Sequence, residues 1–477
     1  MGFWSAPTDV DTTLQKMTCS DTTTAELTQS QQNVVAHIHG PLLVLAGPGS
    51  GKTMVVTRRI ANMIALGTPP WQLLALTFTN KAAQEMRDRV HPLLNQNALQ
   101  AQGLTVSTFH AFCARVLRSW GDRIIGTTTF TIYDTADQRS AVKAAIKATE
   151  LSDSNWRPAS VLAAISSAKN KLIDVDTFET EASDFYAKSV AKIYRAYDNI
   201  LRGNDAVDFD DLLILPLTLF EKHPKILDKY REKWQYILVD EYQDTNKPQF
   251  MFVKYLAEGH HQICVVGDDD QSIYGWRGAD IRNILDFEKN FGNCHVFKLE
   301  RNYRSTAHIL EAASSVVKNN KNRAPKELIP HNGAGEKLAL IETNDEMEEA
   351  DAIVSALEKE INLNKRTFRD FAVLYRTNAQ SRALEDSFRR QGIPYTIVGG
   401  IRFYERAEVK NILAYLKFIV NMKDTVSLRR IINFPPRGIG LKTVDKCVAY
   451  AEKVKKGLFE ILPEGIEVGV RGKQCES

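Results

Sequence analysis

The six cysteines, Cys19, Cys113, Cys264, Cys294, Cys447 and Cys475, contain no Cys-x-x-Cys pair. None stands near a His pair at metal-ligand spacing, which excludes a zinc site of the usual pattern and gives no disulfide framework. Such usage fits a reducing, cytosolic compartment. No apolar run approaches the ~20 residues needed to cross a bilayer. No signal-peptide pattern is present. The start, Met1-Gly2-Phe3-Trp4-Ser5-Ala6, misses the myristoylation pattern because Ala6 stands where Ser or Thr is needed. Charge of one sign is also lacking: the net charge is only +3. Overall charge therefore gives no argument for nucleic acid, and any such site has to be a local basic and aromatic surface. Internal repeats and low-complexity blocks are missing too. What is left is a chain of 477 residues, long enough for two or more domains, with the 44% hydrophobic and 25% charged content of a globular protein.

The most informative stretch present is Leu42-Leu43-Val44-Leu45-Ala46-Gly47-Pro48-Gly49-Ser50-Gly51-Lys52-Thr53. An apolar run stops at a glycine-rich loop, and Val55, Val56, Ile60, Met63 and Ile64 follow at helical spacing. Strand, loop and helix in that order are what a phosphate-binding loop requires. The loop N–H groups and the helix N-terminus can cradle a triphosphate, Lys52 can reach its outer phosphates, and the Thr53 hydroxyl can hold Mg²⁺. Ala46 stands where the strict pattern has Gly. A plain glycine-rich turn accounts for the glycines but not for Gly-Lys-Thr.

Residues 1–25 are rich in Thr, Ser and Asp and read as a disordered tail. From 26 to 295 we expect an α/β nucleotide-binding lobe with parallel strands at Leu42–Ala46, Leu73–Thr77, Thr105–Thr108, Ile237–Val239 and Ile263–Val266. Between about 110 and 205 the period turns helical, as in Ala141–Lys147, Val161–Lys169 and Val190–Leu201, and predicts an all-helical insertion. A partial second α/β lobe is expected over 296–400, with strands at Val296–Leu299, Leu338–Ile341, Phe371–Tyr375 and Tyr395–Val398. From 401 to 477 the chain turns helical again, for example over Val409–Val420, and ends in a divergent tail.

Polar motifs sit at the ends of the expected strands, where open parallel sheets hold ligands. Asp240-Glu241 follows Ile237-Leu238-Val239. One carboxylate can hold Mg²⁺ and the next can orient an attacking water, although an acidic pair alone is equally a solvated turn. Gly267-Asp268-Asp269-Asp270-Gln271-Ser272-Ile273-Tyr274-Gly275-Trp276-Arg277-Gly278-Ala279 combines an acidic turn with closely spaced aromatics and Arg. That composition suits a platform for unpaired bases, at ~1–3 kcal/mol per stacked base, against the alternative that Trp276 is a core residue. Thr77-Phe78-Thr79-Asn80-Lys81-Ala82-Ala83 can present hydroxyls and a helix N-terminus to phosphodiesters, or be a capped helix and nothing more. Thr108-Phe109-His110 is similar, and a lone His there is more often structural. In Leu299-Glu300-Arg301-Asn302-Tyr303-Arg304-Ser305, Arg304 can reach a γ-phosphate and Tyr303 can stack on a base, unless both are surface residues beside a helix cap.

Together and in this order, these strings resemble the UvrD/PcrA/Rep group of superfamily 1 DNA helicases over about Leu27 to Gly440. The resemblance rests on Thr-Phe-Thr-Asn-Lys-Ala-Ala, Val-Asp-Glu-Tyr-Gln-Asp-Thr-Asn and Gly-Asp-Asp-Asp-Gln-Ser-Ile-Tyr-Gly-Trp-Arg-Gly-Ala. The usual loop of that family, Ala-Gly-x-Gly-Ser-Gly-Lys-Thr, also accounts for Ala46. The resemblance implies two RecA-like lobes and an ATP- and Mg²⁺-dependent helicase or translocase of 3′→5′ polarity in DNA repair or replication. It implies Gln31 as an adenine-reading residue, residues Ala46 to Thr53 with Lys52 as the phosphate site, and Thr53 and Asp240 as the Mg²⁺ residues. Glu241 would activate water, Gln271 would sense the γ-phosphate, Tyr303 would stack on adenine, and Arg304 would contact the γ-phosphate. For DNA it implies Phe78, Asn80, His110, Tyr274, Trp276, Arg277, Arg376 and Asn378. The implied partners are single-stranded or partly duplex DNA and DNA-repair proteins, with no membrane; the location would be cytoplasmic, nucleoid-associated in a bacterium or nuclear in a eukaryote.

Two departures stand out. Met54 occupies a position where many members carry Arg. The family's later Thr-Leu-His…Lys-Gly-Leu-Glu and Val-x-x-Thr-Arg-Ala stretches have no counterpart before Ser477. A cleft arginine of that kind is worth ~10³–10⁵ in rate, about 4–7 kcal/mol. The alternative expectation is therefore a truncated protein that binds ATP and single-stranded DNA without unwinding. A P-loop ATPase acting on something other than DNA is the third reading.

Overall fold

The computed structural model describes residues 27–94, 102–149, 151, 156–398, 407–454 and 456–464. The expected tail over 1–25 and the Gly399-to-Arg406 stretch lie outside the described residues.

Helix α1 (Gln29–Ala36) leads into strand β1 (Leu42–Ala46), helix α2 (Lys52–Ala65), β2 (Leu73–Thr77), α3 (Asn80–Leu93), β3 (Thr105–Thr108) and α4 (Phe109–Trp120). After an insertion, α9 (Phe209–Lys222) and α10 (Pro224–Lys233) lead to β6 (Tyr236–Val239), α11 (Lys247–Ala257), β7 (Ile263–Gly267) and β8 (His295–Leu299). These strands form one six-stranded sheet in the order β3-β2-β6-β7-β1-β8, and each pairing is parallel. A parallel sheet needs cover on both faces, and the side chains divide accordingly. Leu43, Leu45, Leu74, Leu76, Ile237, Val239, Ile263 and Val265 enter one core, with Phe112, Phe220, Phe252 and Phe287. Their neighbours Leu42, Val44, Ala46, Leu73, Ala75, Leu238, Cys264 and Val266 enter the other, with Val56, Ile60 and Met63 of α2. Every residue of β1, β2 and β7 is buried, which is why these strands read as unbroken apolar runs.

The insertion holds α5 (Thr135–Ala148), α6 (Pro158–Asn170), α7 (Val175–Glu181) and α8 (Phe185–Gly203), with a short parallel pair β4 (Thr131–Ile132) and β5 (Ala206–Val207). Its own core gathers Tyr133, Ile146, Ile165, Ile193, Tyr194 and Tyr197. The expected start near 110 is too early: α4 packs Phe109, Phe112, Cys113 and Val116 into the sheet core. Beside Tyr194 and Tyr197 of the insertion core, the Lys169 ammonium lies 2.7 Å from Asp208 and 2.6 Å from Asp211, all three side chains buried. Tyr197 donates to Asp208 at 2.9 Å and Arg202 pairs with Asp211 at 3.0 Å.

Val296–Leu299 does not open a second sheet. It lies in β8 and pairs with β1, from Leu42 opposite His295 to Ala46 opposite Leu299. The next strands are a two-residue pair, β9 (Arg301–Asn302) with β10 (Ile329–Pro330), joined through α12 (Ala307–Val317). Residues 336–416 form a separate compact unit. Within it α13 (Glu346–Asn364) packs on α14 (Ser381–Arg390), fastened by Ser387 and Arg390 donating to Asp351 at 2.6 and 2.9 Å. The strands expected at Leu338–Ile341, Phe371–Tyr375 and Tyr395–Val398 are not formed. A strand is held by its ladder, and among the described residues none pairs with these; Leu340, Leu374 and Val398 are exposed. Residues 417–464 return to the first unit. There Lys417 pairs with Asp137 at 3.1 Å, Asn421 donates to the Asn204 carbonyl at 2.8 Å, and Tyr133 donates to the buried Asp424 at 3.2 Å. No described helix is long and apolar enough to cross a membrane.

Candidate functional site

The glycine-rich loop links β1 to α2, and its backbone is held from behind. The Gly47 carbonyl accepts from the Ser50 hydroxyl at 2.7 Å and the Pro48 carbonyl from Asn302 Nδ2 at 2.5 Å. The Gly49 carbonyl accepts from Tyr303 N–H at 2.9 Å, the Ser50 carbonyl from Gln31 Nε2 at 3.0 Å, and the Gly51 carbonyl from Val55 N–H at 2.9 Å. With the carbonyls engaged, the N–H side of the loop is the side left to a ligand. Among the described residues nothing accepts from the N–H groups of Gly49, Gly51, Lys52 or Thr53. That is the arrangement of an anion cradle at a helix N-terminus. Gly49 has φ +63°, and a Cβ there would lie 2.6 Å from Arg304 Cβ and 2.8 Å from Asn302 Nδ2. Glycine is required on both counts.

Lys52 opens α2, with its ammonium 3.7 Å from Glu241 Oε2. The Thr53 hydroxyl donates to Asp240 Oδ2 at 3.5 Å. Asp240 directly follows β6, and its backbone N–H is held by the Leu76 carbonyl. Burial pushes its carboxyl up to about 6, and the charge of Glu241 adds to the rise. A buried carboxyl beside a hydroxyl, short of positive charge, fits a divalent cation carrying a phosphate. Glu241 has φ +51°, a strained conformation for a side chain with a Cβ and one that clusters at functional sites.

Gln271 follows β7. Its amide donates to Asp268 Oδ2 at 2.6 Å. Asp268, Asp269 and Asp270 point their ligand oxygens at one another as a metal site would, but the Lys326 ammonium already sits among them. It is 2.6 Å from Asp268 and 2.9 Å from Asp270, and it also pairs with Asp269. Tyr303 is half-buried against His331, with ring centroids 4.8 Å apart, and Arg304 is exposed at the loop. Gln31 is buried, with its Oε1 accepting from Thr28 N–H at 3.0 Å while its Nε2 holds Ser50. An adenine-reading role requires it to exchange one of these partners.

Beyond Gln271 the chain presents the aromatic platform. Trp276 is 74% exposed and Ile273 70%, so the core reading of Trp276 is wrong. Tyr274 lies 5.1 Å from Phe78 and 6.3 Å from Trp276 between ring centroids. The Arg277 guanidinium caps both, 4.6 Å above Trp276 and 5.7 Å above Tyr274. Asn80 is exposed at the first turn of α3, whose N-cap Thr79 accepts from Ala82 N–H. His110 lies half-buried in α4, edge-on to Phe209 at 5.9 Å, and burial lowers it to about 4. It is therefore neutral near pH 7 and contributes no charge to a phosphate. Arg376 and Asn378 belong to the 336–416 unit, where the Arg376 and Thr377 N–H groups donate to Gln380 Oε1.

Three residues at the site were not anticipated: Asn302, Gln243 and Lys326. Asn302 is 1% exposed and ties the loop of Tyr303 and Arg304 to the phosphate loop, since its Oδ1 accepts from the N–H groups of Arg304 and Ser305 at 2.9 and 2.8 Å. It stands inside a motif that was read for its neighbours. Lys326 belongs to no motif, so nothing in the sequence marks it.

A parallel sheet, a phosphate loop and an acidic pair at neighbouring strand ends define a P-loop nucleotide-binding protein of the RecA-like kind. Comparison with known proteins narrows the class. The profile described as UvrD/REP helicase N-terminal domain matches residues 27–292, and that described as UvrD-like helicase C-terminal domain matches residues 297–462. The chain belongs to the UvrD/REP helicase family. It is 45% identical over 448 residues to a protein of Staphylococcus epidermidis named ATP-dependent DNA helicase PcrA, covering 94% of this chain and 61% of that one. The protein of the same name from Staphylococcus aureus is 46% identical over 444 residues, 93% of this chain and 60% of its own length. The chain thus spans about 60% of the length of these relatives.

Proposed function

We propose that this chain hydrolyses ATP to move along single-stranded DNA, with 3′→5′ polarity, and acts as a DNA helicase in repair or replication. The observation that carries the reading is the continuity of one segment. Residues 268–277 run from Asp268, which holds Gln271 and is tied through Gln243 to Glu241, to the half-buried Tyr274 and the exposed Trp276 and Arg277, all in one compact unit.

In this reading the loop N–H groups and Lys52 hold the β- and γ-phosphates, and Thr53 and Asp240 hold Mg²⁺. The cation, when bound, neutralises phosphate charge and keeps Asp240 ionised. Glu241 orients the attacking water. Arg304 reaches the γ-phosphate, Tyr303 stacks on adenine, and Gln271 exchanges Asp268 for the γ-phosphate. Phe78, Asn80, His110, Tyr274, Trp276 and Arg277 contact the unpaired strand, as do Arg376 and Asn378 of the other unit. Stacking is sequence-tolerant, which suits a motor that steps over any bases. The site of action would be the cytoplasm or nucleoid, beside other repair proteins. A binding-only role is not favoured, because family similarity extends through residues 297–462 rather than ending with the nucleotide-binding unit.

The test is ATP hydrolysis with and without a single-stranded oligonucleotide, in wild type and Lys52→Ala, together with strand displacement on 3′- and 5′-tailed duplexes. Hydrolysis stimulated by the oligonucleotide and lost in Lys52→Ala is expected. Unstimulated hydrolysis in the wild type would falsify the reading.

A further inference from the structure

We propose that Gln243 is a positioning residue that couples the Glu241 carboxylate to the turn carrying the base-stacking aromatics. The inference rests on the reading above, in which Glu241 orients the attacking water, and it assigns the regulation of that group by DNA to one buried amide.

Gln243 lies two residues beyond Glu241, in the short turn Tyr242–Asp244, and is 1% exposed. Its carboxamide is divided between two elements. Nε2 donates to Glu241 Oε2 at 2.9 Å, with a longer contact of 3.4 Å to Asp244 Oδ2. Oε1 accepts from the backbone N–H of Asp268 at 2.9 Å. The Gln243 backbone carbonyl accepts from the Ser272 hydroxyl at 3.1 Å. Side chain and main chain thus both reach residues 268–272, which continue directly into Tyr274, Trp276 and Arg277.

The chemistry selects a carboxamide. An ionised Glu241 needs a donor, the Asp268 N–H needs an acceptor, and a neutral side chain of this length supplies both at once. The approach is close: a Cβ at Gly267 would lie 2.6 Å from Gln243 Oε1, so only glycine fits beside it. Glu241 has little else to orient it. Its charged partner, Lys52, is at 3.7 Å, and its own backbone is held at positive φ. When bases stack on Trp276 and displace residues 268–272, the Asp268 N–H moves and the amide moves with it. The donor that Glu241 receives is thereby re-aimed. This is a contiguous hydrogen-bonded link with an identified part at each end, which is the physical content of a coupling claim.

The experiment is steady-state ATP hydrolysis by the 477-residue chain, with and without saturating oligo-dT, in wild type, Gln243→Met, Gln243→Glu and Ser272→Ala. Gln243→Met removes both ends of the link; Gln243→Glu keeps the acceptor for Asp268 and removes the donor to Glu241. Both are expected to lower DNA-stimulated kcat by about tenfold or more and to lower the ratio of stimulated to basal rate with it, while KM for ATP and oligonucleotide affinity stay within about threefold. Ser272→Ala, at the far end, is expected to keep basal hydrolysis and lose about threefold of the stimulation. If the Gln243 variants fail to fold, Ser272→Ala decides alone, and full stimulation there overturns the proposal. A wild type that oligo-dT stimulates, beside Gln243 variants stimulated by the same ratio, overturns this coupling and leaves the motor reading standing. A wild type that oligo-dT does not stimulate overturns both.

Discussion

Lys326→Met removes the one ammonium that sits among Asp268, Asp269 and Asp270. The Lys326 side chain is 3% exposed, and those of Asp268 and Asp269 are fully buried. Burial lowers the charge affinity of an ammonium, yet the carboxylates around it, Asp268 foremost, keep Lys326 above its ordinary value. Stripping one partner from a buried ion pair costs about 3–5 kcal/mol, because the other charge stays buried without compensation. Part of that loss is offset here. Asp268 keeps Gln271 Nε2 and the Asp270 N–H, Asp269 keeps the Ala324 N–H at 2.7 Å, and Asp270 keeps Arg323 at 2.9 Å. The low end, about 3 kcal/mol, is therefore expected. The pH dependence follows from linkage. Against the rise that burial brings, Arg323 and Lys326 hold the Asp270 carboxyl below its ordinary value, so the stability that Lys326 adds is present above the unfolded carboxyl value and is lost as pH falls through the folded one. The deficit relative to wild type should be full near pH 7 and shrink as pH falls below about 4. Urea unfolding of both proteins at the two pH values measures it. Millimolar Mg²⁺ should also stabilise the variant more than the wild type, since among the described residues only Asp270 of the three carboxylates then keeps a cationic partner, Arg323. A deficit below about 1 kcal/mol, or one equal at both pH values, would refute the reasoning.

Gly49→Ala places a methyl group against Arg304 and Asn302 at positive φ, so affinity for a fluorescent ATP analogue should fall by about tenfold or more; unchanged affinity would show that the loop needs neither the close approach nor the conformation. Trp276→Ala should leave urea stability within about 0.5 kcal/mol, the side chain being exposed, yet weaken oligonucleotide binding by about 1–3 kcal/mol in an anisotropy titration. His110→Gln tests a burial that lowers the imidazole to about 4. A folded pKa below the unfolded one means that the wild type loses stability as pH falls from about 6.5 towards 4, by up to about 1.4 kcal/mol per unit. The variant escapes that loss, so parallel stability curves for the two proteins would contradict the assignment.

The sequence is legible where a residue's environment is set by its near neighbours, and opaque where it is set by a distant partner. Strands β1, β2 and β3 were bounded correctly because burial on both faces makes an apolar run and a polar motif ends it. Val296–Leu299 looked like the same kind of strand, but it lies in a half-exposed strand at the sheet edge, and which sheet it joins depends on β1, some 250 residues earlier. Leu338–Ile341 and Phe371–Tyr375 have strand composition, and composition supplies no ladder. The site divides along the same line. Lys52, Asp240 and Glu241 are legible because charged groups stand out just beyond apolar runs, and the fold brings Lys52 within 3.7 Å of Glu241. Asn302 and Gln243 carry no chemistry of their own toward a ligand. Their amides answer donors and acceptors that only the folded chain brings near: the Pro48 carbonyl for one, the Asp268 N–H for the other. A motif read for its reactive residues therefore misses the neighbours that aim them. In this protein those neighbours lie within two residues of Glu241 and of Arg304, in stretches already singled out for other reasons.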